Sequence, residues 1–131
     1  MRKICRFFAV LLLVVPVLGF AQEADVVDKF AIAADGDQTS SEIAKLAGIA
    51  PFFHIYDING NLLEVLANPH LDREWGTGPA AAATLADMGV TVLVARRIPG
   101  PKMEDVLVAH EIRIVRRLGM VHDVVVELKE E

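Results

Sequence analysis

The chain is predicted to fold as a single α/β domain: a mixed sheet of about five strands with one antiparallel hairpin, flanked by helices. Three observations predict it. Short runs of branched and aromatic residues alternate with helix-forming stretches through residues 29–131. Asn59-Gly60 separates two such runs, residues 52–58 and 61–67, at the spacing of a tight hairpin. Val90–Ala95 is apolar except for Thr91, as befits a strand buried on both faces.

The elements follow in order. Lys29–Ala34 (KFAIAA) reads as a buried first strand stopped by the turn residues Asp35-Gly36-Asp37. Thr39 and Glu42 have capping-box spacing, which predicts a short helix over residues 40–46 with Gly48 as its stop. The hairpin comes next, its Asn-Gly pair supplying positive φ angles. Residues 68–78 form a loop holding Pro69, His70, Trp75 and two glycines. Pro79 suits the first position of a helix, Ala80 to Met88 is strongly helix-forming, and Gly89 ends it. After strand Val90–Ala95 and the Pro99-Gly100-Pro101 loop, residues 102–109 fit a helix and 112–115 a short strand. Val124-Val125-Val126 is strand-like by propensity. Val121, Val124, Val125 and Leu128, however, recur on one helical face, and the period predicts a helix.

Ahead of this domain, thirteen of the fifteen residues 7–21 are apolar. Arg2, Lys3 and Arg6 precede them, and small residues stand at Gly19 and Ala21. This is the pattern of a secretory signal peptide over residues 1–21, followed by a polar lead over 22–28 and the domain over 29–131. The apolar run is shorter than the ~20 residues a membrane-spanning helix needs, and Pro16 interrupts it. The pattern therefore predicts a cleaved, exported protein without a membrane anchor, periplasmic where the cell has two membranes.

Cleavage changes the electrostatics and the chemistry. The segment carries three of the thirteen basic residues and none of the eighteen acidic ones, so the formal charge moves from −5 to −8. Such a surface repels phosphate backbones and argues against nucleic acid as a partner. The single cysteine, Cys5, leaves with the segment. Disulfides, thiolate-ligated metals and cysteine nucleophiles are then excluded from the mature protein.

The succession KFAIAADGD, APFFHIYDINGNLLEVLANP and GTGPAAAATLADMGVTVLVA resembles the dinitrogenase iron–molybdenum cofactor biosynthesis family, which includes the NifX-like carriers. The resemblance spans about residues 29–129. It implies a ribonuclease H-like fold and the binding or carrying of an iron–molybdenum or other metal–sulfur cluster, with a protein donor or acceptor. The chain departs from the family pattern in its export signal. It also departs at Arg96 and Arg97, which stand where a glycine-rich loop usually follows the strand.

Three groups of residues are candidates for holding such a cargo. Gly76, Thr77 and Gly78 open the Ala-rich helix, where free backbone N–H groups and small residues let an anion approach. Arg96 and Arg97 follow the buried strand, at the strand end where ligands of α/β sheets collect. His70 precedes the Gly-x-Gly and is a candidate direct metal contact. The other histidines have no zinc-ligand spacing, and Met88, Met103 and Met120 are dispersed as core residues are. Asp35 ends the first strand, but Val90–Ala95 and residues 112–115 carry no acidic partner for two-metal catalysis. No Gly-x-Ser-x-Gly occurs. The sequence thus reads as a carrier of an anionic metal cluster or metal oxyanion and not as an enzyme. The competing reading is a ligand-free structural or protein-interaction domain on the same fold.

Overall fold

The computed structural model describes residues 28–130. The export segment, Cys5 and the lead over residues 22–27 lie outside the described residues. The elements are β1 (Lys29–Ala34), β2 (Phe52–Asp57), β3 (Leu62–Ala67), α1 (Thr77–Asp87), β4 (Val90–Ala95), α2 (Pro101–Ala109), β5 (Arg113–Arg116) and α3 (Val121–Lys129), with a 3₁₀ turn at Ala47–Ile49. They build one sheet in the order β3-β2-β1-β4-β5. Strand β2 runs antiparallel to both its neighbours, whereas β1, β4 and β5 are mutually parallel.

The period of two in β1 divides the core. Ala31 and Ala33 enter one cluster with Ala81, Ala82, Leu85, Met103 and Leu107 of α1 and α2. Ile32 and Ala34 enter the other with Val121, Val124 and Val125 of α3. The helical face predicted for the last segment is therefore the face that packs. Each fully buried leucine, such as Leu85, Leu93 and Leu107, contributes about 1.5–3 kcal/mol of burial. No described helix is long and apolar enough to cross a membrane.

The hairpin forms where expected, but only one residue of its Asn-Gly pair is left-handed. Gly60 has φ +87°, and Glu111 is the sole described non-glycine with positive φ. The Gly60 N–H donates to Asp57 O and the Asp57 N–H to Asn61 O, both at 3.0 Å. The Asp57 carboxylate accepts from the N–H groups of Asn59 and Asn61, each at 2.9 Å. That carboxylate holds Asn59 outside the left-handed region, leaving glycine alone at the turn's left-handed position.

The helix expected over residues 40–46 is absent, and the segment is extended. Ile43 and Ala44, adjacent in sequence, are both buried but in opposite cores, Ile43 against α3 and Ala44 against α1 and α2. Helical geometry turns consecutive residues by only about 100° and would not send them to two sides of a sheet. Tertiary backbone bonds replace the helical ones: Ala44 N–H donates to Ala33 O and Ile43 N–H to Gly119 O, both at 2.8 Å. The Ser41 hydroxyl accepts from the Gln38 N–H at 3.2 Å, turning the chain without a helix.

Candidate functional site

Strands β1, β4 and β5 finish at the same edge of the sheet, and β3 ends there too, so α1 and α2 both begin at that edge. This is where α/β sheets present their loops to ligands. Between the two helix starts lies an open groove of about 650 Å³. Gly76, Thr77, Gly78 and Pro79 form one wall; Pro99, Gly100, Pro101 and Lys102 form the other. Arg73 and Trp75 stand at the rim, and Met103 and Ile49 complete the lining.

Backbone geometry leaves unpaired donors at residues that line this groove. Gly76 precedes α1 at φ +73°, and neither α1 nor α2 has a side-chain cap. The N–H groups of Thr77, Gly78, Lys102 and Met103 have no acceptor among the described residues. The start of α3 is different. There the Val121 N–H donates to Ser41 O and the His122 N–H to Thr39 O, both at 2.9 Å, so the extended segment caps that helix.

The side chains add charge of one sign. Arg73 and Lys102 line the groove and no aspartate or glutamate does, in a chain whose formal charge is −5. Their position beside two helix starts concentrates positive potential in a small concave space. No histidine lines it either, and among the described residues no group of three or more His, Cys, Asp or Glu could hold a metal ion. The groove is suited to holding an anion from outside by charge and N–H donors, with its prolines, Ile49 and Trp75 as apolar walls.

The candidate residues from the sequence fall in three places. Gly76, Thr77 and Gly78 line the groove. Arg96 and Arg97 do not: Arg96 is half-buried, Arg97 is exposed, and the Arg97 carbonyl accepts from the Ala47 N–H at 3.0 Å. His70 is also outside the lining, its Nε2 2.8 Å from the Thr84 hydroxyl on α1. The cations that do meet the groove, Arg73 and Lys102, were not singled out by sequence. One signal was available: Pro99-Gly100-Pro101-Lys102 repeats the glycine–proline character of Gly76-Thr77-Gly78-Pro79, so a second open helix start was written beside a lysine.

Away from the groove, His54 is fully buried, with Nε2 donating to Gly36 O at 2.8 Å and Nδ1 without a hydrogen-bond partner. Burial raises the Tyr56 phenol above its usual pKa. The backbone N–H of Asn61, followed by its side-chain amide, holds the Asp57 carboxyl below its usual range. A smaller cavity of about 270 Å³, lined in part by Phe30, Val92, Val115 and Leu128, sits at the opposite end of the parallel strands.

Comparison with known proteins places these observations among relatives. Residues 28–131 match the family described as dinitrogenase iron-molybdenum cofactor. The apo form of the orange protein from Desulfovibrio gigas is similar at 26% identity and a TM-score of 0.71, over 78% of this chain and 87% of that one. A Thermotoga protein provisionally named NifB is similar at 28% identity and a TM-score of 0.67, over 78% and 87% of the two chains. A protein from Methanocaldococcus jannaschii, provisionally named a dinitrogenase, shares the fold at 17% identity and a TM-score of 0.51, over 77% and 84%. No curated protein matches the chain.

Proposed function

The chain belongs to the dinitrogenase iron–molybdenum cofactor family, and from that premise we propose that it binds and carries an anionic metal–sulfur cluster, or a metal oxyanion precursor of one, between α1 and α2. A single observation supports the site: two uncapped helix starts, Arg73 and Lys102 face one groove that no acidic residue lines. The cargo's charge is met by the two cations and by the N–H groups of Thr77, Gly78, Lys102 and Met103. Its outer sulfide or oxide atoms rest against Ile49, Trp75 and the prolines. With residues 1–21 removed the protein supplies no thiolate, since the sole cysteine is Cys5. Holding is therefore non-covalent at the protein's side, which suits a carrier that must both load and release. The role is binding and not catalysis, with a protein donor and acceptor at either end of the transfer. The signal-peptide pattern of residues 1–21 supports a location outside the cytoplasm for this activity.

One observation favours a second reading. Gly48, Gly78 and Met103 pack so closely that the glycines have a structural reason to be there without any ligand. Trp75 is 79% exposed and Ile49 56% at the groove rim, as protein-docking residues are. On this reading the groove is a contact surface for another protein.

The test is retention. The purified protein is offered tetrathiomolybdate, molybdate and copper(I) with tetrathiomolybdate, and bound metal is measured after desalting together with the absorption spectrum. The carrier reading expects a stoichiometric, salt-sensitive complex with at least one of them. No retained metal from any of the three, at low salt, sinks it.

A further inference from the structure

Resting on the groove reading above, we infer that His70 is a positioning residue for that groove: its ring ties the loop over residues 68–76 to α1 and so sets where Arg73 and Trp75 stand. The direction of the bond is decided by proton count. The Thr84 hydroxyl donates its one proton to Ala80 O at 3.1 Å. Its 2.8 Å contact with His70 Nε2 is then one in which the imidazole donates. The Nε2–H is thereby engaged, with the ring's orientation fixed by a residue on the helix that the loop leads into.

The rest of the loop is connected through the backbone of this residue. Asn68 is buried; its amide donates to Ala50 O at 2.9 Å, and its carbonyl oxygen accepts from the His70 N–H at 3.0 Å. The His70 carbonyl accepts from the Arg73 N–H at 3.1 Å. Arg73 Nε donates to Trp75 O at 3.3 Å, and its Nη2 lies beside Gly76. Leu71, Asp72, Arg73, Glu74 and Trp75 are all exposed, so little burial holds the rim in place. The histidine–threonine bond is the side-chain tie between this rim and α1. His70 therefore acts through Arg73 and does not touch the cargo.

Thr84 is the handle for the test, because Thr84→Val keeps the shape and removes the acceptor, whereas Thr84→Ser restores it. Two readouts are taken on wild type, Thr84→Val, Thr84→Ser and His70→Ala: amide hydrogen exchange of residues 70–76 in the ligand-free protein, and affinity for tetrathiomolybdate. The expected result is exchange faster by roughly tenfold and affinity lower by roughly tenfold in both Thr84→Val and His70→Ala, with Thr84→Ser like wild type. Unchanged loop exchange in Thr84→Val overturns the tie. Full affinity in Thr84→Val alongside lost affinity in His70→Ala overturns the positioning role and makes the imidazole a direct contact. Failure of wild type to bind tetrathiomolybdate, molybdate and copper(I) with tetrathiomolybdate alike defeats the groove reading instead, and the exchange comparison still decides whether His70 holds the loop.

Discussion

Gly48 and Gly78 meet backbone to backbone: a Cβ on Gly48 would stand 2.8 Å from the Gly78 Cα and 2.8 Å from the Pro99 side chain. Gly78 in turn lies against Met103, whose Cβ would be 3.1 Å from an added methyl. The two helix starts and the 3₁₀ turn are thus brought together by an absence of side chains, and that convergence makes the groove.

Gly48→Ala is expected to destabilise the protein by about 1–3 kcal/mol, because the new methyl meets backbone that has nowhere to go. Gly78→Ala should cost less, since part of what it meets is the flexible Met103 side chain. Urea unfolding of the two variants checks both the direction and the order. A Gly48→Ala protein as stable as wild type would show that the contact relaxes freely.

Reversing one cation should weaken anion binding without harming the fold. Lys102→Glu leaves an exposed position exposed. It replaces attraction by repulsion at a few ångströms in a solvent-accessible groove, an effect of about 1–2 kcal/mol or roughly tenfold in affinity. Titration with tetrathiomolybdate at low and high salt measures it. The gap between variant and wild type should narrow as salt rises. A salt-independent gap would mean that charge is not what Lys102 contributes.

His54 is a core residue by its surroundings, paired with Ile32 and Val65 across the sheet and bonded to Gly36 O. His54→Ala opens a cavity and frees that carbonyl, with an expected loss of about 2–4 kcal/mol. Amide exchange should accelerate around residues 36–41, while the groove at the other face of the sheet keeps its affinity. A loss of anion binding at unchanged stability would contradict the structural role.

The hairpin makes stability depend on pH in the acid range. The Asp57 carboxyl is held below the usual carboxylate range, first by the Asn61 backbone N–H and then by the Asn61 amide. A depressed native pKa contributes stability that is present above the unfolded value and is lost as pH falls through the folded one. Between wild type and Asp57→Asn, the difference in urea midpoint should therefore be largest above about pH 5 and shrink below about pH 4. A difference that stays constant from pH 6 to pH 3 would remove Asp57 as the cause.

Much of the fold was legible because it rests on near-neighbour patterns. The Asn59-Gly60 turn, the apolar Val90–Ala95 strand and the spacing of Val121, Val124, Val125 and Leu128 each depend on residues within two turns or one hairpin of one another. Half of the site was legible for the same reason, since Gly76, Thr77 and Gly78 announce a helix start locally. The segment over residues 40–46 was not, because its bonds go to Ala33 and Gly119, and a capping-box spacing says nothing about such distant partners.

The sequence alone determined, through periodicities along the chain, the five strands and three helices that form; its motifs, by resemblance, pointed to the family; and its composition excludes thiolate chemistry if residues 1–21 are removed. Tertiary structure alone decided that Arg73 and Lys102, and not Arg96 and Arg97, line the groove. It also decided that the His70 ring bonds to Thr84. Which charges share a space depends on how closely two helix starts approach. That distance is set by the close contact of Gly78 with Met103, residues twenty-five positions apart in the chain.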